Sequence, residues 1–310
     1  MALSQGDLQG IYCAMVTPTD ADGRVDRDSV KRLVAYLIDA GTSGLVPVGG
    51  TGEYTALSPR ERRAMVEATV EAAAGRVPVV AGVLSPGYAE AVAAGRDFAA
   101  CGADALLLIT PFYATPTQAG VRDYYKAYVG AVDLPLLLYE IPARTGVALD
   151  PETIAGMVDD GTIVGMKACN TNLSQFIRVM AAVGGRMAVL GGEEPYFATH
   201  VAMGASGGIL ASANLVPRLW QEIYRLAASG DLRGALVKQA ELEPLLQAIF
   251  CETNPGPLKC AMTMAGYAVG EAMLPLSTPR AESLARLEPA VAVALERERG
   301  LGAPALGATA

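Results

Sequence analysis

Lys167 lies in Thr162-Ile-Val-Gly-Met-Lys-Ala-Cys169, a run otherwise apolar enough to be a buried strand. An unpartnered ammonium is costly in such surroundings, and desolvation lowers a lysine pKa toward a neutral amine. A neutral amine attacks a carbonyl carbon and forms a Schiff base. The alternative is a lysine at the strand mouth, reaching out to water or paired with an acid. Gly49-Gly50-Thr51-Gly52 suits a turn whose backbone N–H groups closely approach a carboxylate or phosphate, and equally a plain tight turn. It lacks the Gly-Lys-Ser/Thr ending of a nucleotide-binding loop. Tyr139-Glu140-Ile141-Pro142-Ala143-Arg144 supplies a phenol for proton transfer and a guanidinium that is either a bidentate carboxylate clamp or a solvated charge. Tyr113 offers a second phenol or a packed aromatic. Glu193 and Glu194 are hydroxyl acceptors or a solvated acidic loop, and Gly204-Ala-Ser-Gly-Gly208 is an anion site or a turn.

Other chemistry is excluded by composition. The chain has one histidine, so a His-cluster metal site has no second imidazole, and a Ser-His-Asp triad would rest on His200 alone. His200 reads as a helical core or surface residue. Five cysteines form an odd set without C-x-x-C, which fits reduced thiols rather than disulfides or zinc ligands. No metal and no cofactor is expected. A net charge of −8 over 310 residues argues against nucleic acid and anionic membrane as partners. Mean hydropathy is +0.31, yet no window approaches the roughly 18 uninterrupted apolar residues of a spanning helix. The first residues lack a basic and then apolar leader, so a cytoplasmic protein with a small-molecule substrate is expected.

The elements that must position these groups are legible as short apolar runs near 11–16, 44–48, 77–83, 104–109, 134–139, 163–168, 187–191 and 207–212. Runs that are apolar throughout are buried on both faces and therefore parallel, which requires a crossover helix after each. Helical stripes lie between them, such as Val30, Leu33, Val34, Leu37 and Ile38. Ser58-Pro59-Arg60-Glu61 combines an N-cap serine, proline at the first helical position and a capping-box glutamate. Eight β/α units predict a (β/α)8 TIM barrel over 1–214. Stripes such as Leu242, Leu245, Leu246 and Ile249 predict a C-terminal helical region over 215–299, and Gly/Ala/Pro-rich 300–310 reads as a frayed tail. In such a barrel the active site lies at the C-terminal ends of the strands, where Thr17, Thr51, Thr110, Tyr139, Lys167, Glu193, Ser212 and Asn214 close their runs.

Four of these segments, Gly49-Gly-Thr-Gly-Glu53, Thr110-Pro-Phe-Tyr113, Tyr139-Glu-Ile-Pro-Ala-Arg-Thr-Gly146 and Gly165-Met-Lys167, resemble in order and spacing the dihydrodipicolinate synthase/N-acetylneuraminate lyase family of class I aldolases. The resemblance runs from about Gly10 to about Leu276. It implies a barrel with a C-terminal helical region, a homotetramer, and a pyruvate-type Schiff base on Lys167. Tyr139 matches the proton shuttle, Gly50 and Thr51 the backbone and hydroxyl that hold the pyruvate carboxylate, and Ile209 a residue lining the pyruvate. Arg144 matches the arginine that holds the second substrate's carboxylate, and Tyr113 a tyrosine that reaches a neighbouring subunit's site.

The chain departs from the synthases at Gly50, where they carry a threonine whose hydroxyl links the two tyrosines, and at Glu140, where asparagine is common. Gly49-Gly-Thr-Gly-Glu53 is closer to the family's 5-dehydro-4-deoxyglucarate dehydratases, which lack the Pro-Ala-Arg-Thr-Gly stretch. Glu193-Glu194-Pro195 does not match the acidic pair of the neuraminate lyases. Tyr54, Pro59, Arg62 and Pro86 stand where lysine-inhibited synthases bind lysine, which argues against that inhibition. The expected protein is therefore a metal-independent lyase joining pyruvate or another 2-oxo acid to an aldehyde, in the manner of dihydrodipicolinate synthase. Alternatives are a 2-keto-3-deoxy sugar-acid aldolase or dehydratase, and a non-catalytic 2-oxo-acid binding protein.

Overall fold

The computed structural model describes residues 3–302, so the stretch 303–310 of the expected tail lies outside the described residues. Eight parallel strands alternate with helices. The strands are β1 (Gly10–Ala14), β2 (Gly44–Val46), β3 (Val80–Val83), β4 (Ala105–Ile109), β5 (Leu136–Glu140), β6 (Gly165–Ala168), β7 (Ala188–Gly191) and β8 (Gly207–Leu210). Each is buried along its whole length, which is why the sequence shows unbroken apolar runs rather than alternation. The hydrogen-bonded order is β2-β1-β8-β7-β6-β5-β4-β3, and a parallel bridge from Leu45 to Val79 closes the ring between β2 and β3. The expected (β/α)8 TIM barrel is the fold.

The helices between and after the strands are α1 (Arg27–Asp39), α2 (Pro59–Ala73), α3 (Tyr88–Ala100), α4 (Gln118–Val129), a single turn α5 (Pro142–Thr145), α6 (Pro151–Asp159), α7 (Leu173–Val183), α8 (Phe197–Ala202) and α9 (Pro217–Ala228). The C-terminal region adds α10 (Leu232–Ala240), α11 (Glu243–Ile249), α12 (Gly256–Met264) and α13 (Ala281–Gly300). The Val30, Leu33, Val34 and Leu37 stripe is the buried face of α1, as its spacing predicts. Ser58 caps α2 by accepting from Glu61 N at 3.2 Å. The expected capping box is half formed, because the Glu61 carboxylate accepts from Val25 N at 2.8 Å instead and ties α2 to the β1–α1 loop.

His200 is a core residue on α8, stacked on Phe176 with ring centroids 4.1 Å apart. Burial pulls its pKa down to about 4, so it is neutral at pH 7. Among the described residues no helix is long and apolar enough to cross a membrane, and no three His, Cys, Asp or Glu side chains gather to hold a metal ion.

Candidate active site

A cavity of about 620 Å³ opens at the C-terminal ends of the strands, and Gly50, Thr51, Tyr139, Arg144, Lys167 and Ile209 all line it. Six of the seven expected site residues therefore share one space. Register explains the pairing of two of them. On neighbouring strands β5 and β6, Tyr139 faces Lys167 and Glu140 faces Ala168, and because successive side chains point to opposite faces, Tyr139 and Lys167 share the interior. Lys167 is 8% exposed, with Nζ 4.8 Å from the centre of the Tyr139 ring. Gly192, after β7, makes the room: a Cβ there would stand 2.7 Å from Lys167 Cε and would collide with Cys169 Sγ.

The electrostatics correct one expectation. Burial does pull the Lys167 pKa down, but its coupling to the Tyr139 phenol and the Cys169 thiol, which ionise only at high pH where the lysine itself titrates, and to Glu194 and Glu193 outweighs it, and the ammonium is held above the usual lysine value. Burial pushes both the Tyr139 phenol and the Cys169 thiol up to about 12, so each carries its proton at pH 7. Sequence spacing places neither carboxylate beside the lysine, which is why burial alone dominated the expectation. Glu194 is buried and accepts from Ala211 N, from Ser212 N at 3.0 Å and from Ser212 Oγ, whose hydroxyl oxygen in turn accepts from Trp220 Nε1 at 2.7 Å. It is a carboxylate built into the floor rather than a solvated loop residue. Glu193 lines the cavity, and its carboxylate has no hydrogen-bond or ion-pair partner among the described residues; burial raises its pKa, with Lys167 opposing.

The glycine-rich segment is a compact turn after β2. Tyr54 N donates to Gly49 O at 3.2 Å and Glu53 N to Gly50 O at 3.2 Å. Only glycine fits at position 52, where a Cβ would stand 2.7 Å from Val48 N. Thr17 Oγ1 donates to Gly52 O at 2.7 Å and fixes the turn to the end of β1. At Gly50 a Cβ would lie 3.9 Å from the Tyr139 hydroxyl, so the side chain that glycine lacks would have stood beside the phenol. Arg144 rides on α5 at the rim, its guanidinium without a carboxylate partner among the described residues.

Tyr113 is the exception. It does not line the cavity, is 98% exposed, and holds a left-handed φ of 73° that is unfavourable for a residue with a side chain.

The structure also brings in residues that the strand ends could not reveal. Thr253, Asn254, Pro255, Met273 and Leu276 of the C-terminal region line the same cavity. Asn254 Nδ2 donates to Thr51 Oγ1 at 2.9 Å. Just beyond, Lys259 donates to Glu53 Oε2 at 2.8 Å and to Glu271 O at 2.8 Å, while Met273 N donates to Glu53 Oε1 at 2.6 Å. The only signal for this arrangement in the sequence is Glu53 closing the glycine-rich segment, with nothing to name its partner.

A closed parallel barrel with a buried lysine and tyrosine side by side, beside a glycine-rich turn and an arginine with no carboxylate partner among the described residues, defines a lyase of the class I aldolase type. Comparison with known proteins agrees: the model of the dihydrodipicolinate synthetase family matches residues 7–294. The 4-hydroxy-tetrahydrodipicolinate synthase of Anaeromyxobacter dehalogenans (strain 2CP-C) is 39% identical over 285 residues, covering 92% of this chain and 96% of the relative. The chloride-inhibited dihydrodipicolinate synthase of Acinetobacter baumannii, solved with pyruvate, superposes with a TM-score of 0.89 at 34% identity, over 93% of this chain and 99% of that one. The synthase of Methylacidiphilum fumariolicum SolV gives 0.91 at 31% identity, over 96% and 100%. The chain belongs to the dihydrodipicolinate synthetase family.

Proposed function

We propose that the protein condenses pyruvate with an aldehyde bearing a distal carboxylate, aspartate semialdehyde first, through an imine on Lys167. The observation that carries this reading is the buried Lys167 ammonium, which faces a cavity beside Tyr139 and has no ion-pair partner among the described residues. The names of the relatives and the pyruvate bound to the Acinetobacter synthase support it.

In this reading the Thr51 hydroxyl and the backbone of the Gly50–Thr51 turn hold the pyruvate carboxylate, and Ile209 packs against the bound acid. Lys167 reacts from its neutral form. Its nitrogen adds to C2 of pyruvate, water leaves, and the carbon–oxygen double bond is replaced by an imine. Loss of a C3 proton gives the enamine, whose C3 then bonds to the aldehyde carbon as the aldehyde oxygen takes up a proton. Tyr139, protonated at pH 7 with its phenol beside Lys167, is the group to give and take these protons. Arg144 holds the distal carboxylate of the aldehyde. An amine of the second substrate that attacks the imine carbon closes a ring and releases Lys167. We place the enzyme in the cytoplasm as a homotetramer in which Tyr113 crosses into a neighbouring copy's cavity; its exposure and left-handed φ support a residue that a second chain completes.

Borohydride reduction in the presence of pyruvate tests the reading. A pyruvate-derived mass is expected on the peptide holding Lys167, and none in Lys167→Ala. With the trap in place, Arg144→Ala should lower kcat/KM for aspartate semialdehyde roughly ten- to a hundredfold, the 1.5–3 kcal/mol of a hydrogen bond to a charged group, while leaving the pyruvate adduct intact. Labelling of another lysine sinks the mechanism. An adduct without turnover on any aldehyde marks a binding protein, and turnover confined to 2-keto-3-deoxy sugar acids marks the aldolase or dehydratase alternative, which the open space at Gly50 would favour.

A further inference from the structure

The cavity is completed by a segment that contributes no nucleophile, and one side chain on it has an unequal set of bonds. Asn254 Nδ2 donates to Thr51 Oγ1, while Asn254 Oδ1 is buried and meets no donor. Thr51 is therefore the one protein group, among the described residues, to which the Asn254 side chain is bonded.

The bond has a direction. A hydroxyl carries one proton, and when its oxygen already accepts from an amide that proton is left to donate elsewhere. Thr51 is buried, lines the cavity, and donates to no protein acceptor among the described residues. The two segments are held at this spacing from both sides, by the Lys259–Glu53 pair and by Met273 N on the other Glu53 oxygen.

We propose that Asn254 is a positioning residue that turns the Thr51 hydroxyl proton into the cavity, making Thr51 a committed donor to the carboxylate of the 2-oxo acid. The inference rests on the assignment of that carboxylate to the Gly50–Thr51 turn. It gives the C-terminal region a part in substrate binding, because Asn254 is the one protein group, among the described residues, bonded to the Thr51 hydroxyl.

The test is the pyruvate KM, read against kcat and the thermal unfolding midpoint, in five forms of the full chain: wild type, Thr51→Val, Asn254→Ala, Asn254→Asp, and Thr51→Val with Asn254→Asp. Thr51→Val should raise KM about tenfold, the cost of one hydrogen bond to a charged group, with kcat little changed. Asn254→Asp nearly preserves shape but presents only acceptors, so the Thr51 proton turns to it, and KM should rise at least as far as in Thr51→Val. Asn254→Ala frees the hydroxyl to rotate and should cost only about threefold, within the range of a weak neutral hydrogen bond. In the Thr51→Val background Asn254→Asp should add less than about twofold, since the hydroxyl it acts through is gone.

A wild-type pyruvate KM in Asn254→Asp overturns the proposal. So does an Asn254→Asp effect undiminished in the Thr51→Val background, which would mark charge repulsion or general disruption. If Thr51→Val itself leaves KM unchanged, the fault lies one step earlier, in the carboxylate assignment.

Discussion

Lys167 and Lys259 are both ammonium groups removed from water, at 8% and 1% exposure, and both stand near the mouth of the barrel. Lys259 is paired: Glu53 supplies the opposite charge at 2.8 Å and Glu271 O a second acceptor. Lys167 has no ion pair among the described residues, an aromatic face at 4.8 Å and open cavity beyond its nitrogen. The difference separates a charge that joins two segments from a charge kept in reach of a substrate. Burial alone does not mark a reactive lysine; what matters is whether its donors are already spent.

The sharpest way to break this comparison is to remove both charges in turn. Lys167→Met should abolish pyruvate trapping and lower condensation by a factor on the order of 10³ or more, as loss of a covalent nucleophile does, with the unfolding midpoint unchanged or raised. Lys259→Met should do the opposite. It leaves Glu53 buried and uncompensated, so denaturant unfolding should show a loss of about 3–5 kcal/mol, while the folded fraction still forms the adduct on Lys167. Equal destabilisation by the two variants would erase the distinction.

The same contrast holds among the buried carboxylates. Glu194 has three donors, whereas Glu140 has two long bonds, from Asn170 Nδ2 at 3.3 Å and Leu149 N at 3.4 Å, and its Oε2 meets nothing. Burial pushes Glu140 up to about 7, with those two bonds opposing. A carboxyl raised in this way stabilises the fold while protonated, so its contribution is complete below the ordinary value near 4.5 and is lost as pH rises through about 7. Stability at pH 8 should therefore be lower than at pH 5 by an amount on the order of 3 kcal/mol from this group. Glu140→Gln should flatten that part of the pH profile; a profile of unchanged slope would show that the orphaned oxygen is satisfied in solution.

The smallest expected effect concerns the space beside the reactive lysine. Gly50→Thr would place a hydroxyl near the Tyr139 phenol, and we expect condensation to accelerate, by less than the roughly 10²-fold of a fully positioned acid–base group. A slower variant would mean that the open space is used by the substrate itself, which would sharpen the contrast between a filled structural site and a cavity left open for chemistry.

The fold was legible because every strand is buried on both faces, which turns a three-dimensional property into unbroken apolar runs. The ends were less so. The run at 44–48 extends past β2 because Pro47 and Val48 are apolar, yet Val48 takes a φ of 49° and the chain turns. The run at 207–212 likewise includes Ala211 and Ser212, which leave the strand to bind Glu194. In the site, Lys167, Tyr139, Thr51 and Arg144 each sit at the end of their own strand or on the loop after it, so position along the chain sufficed to find them. Asn254 and Lys259 do not. Their roles come from contacts made some two hundred residues back, and an Asn-Pro or a Leu-Lys-Cys carries no periodicity or motif that names a distant partner. The charge state of Lys167 is likewise set by groups from three strand ends, Tyr139 on β5, Cys169 after β6 and Glu193 and Glu194 after β7, which its own apolar run does not show.

The bonds that tie the Gly50–Glu53 turn to the C-terminal region span 203, 206 and 220 residues of sequence. Closing loops of that size costs entropy that strands adjacent in sequence do not meet when they pair, a cost shared only with the β1–β8 seam that closes the barrel. On a ribosome the order is stricter still: Lys167 emerges well before the segment that holds the turn beneath it. A growing chain thus carries Lys167 while the cavity around it is unfinished, because Thr253, Asn254, Met273 and Leu276 that line it come later in the sequence. The completed cavity is thus a report that synthesis has run past residue 273 and folding has followed it.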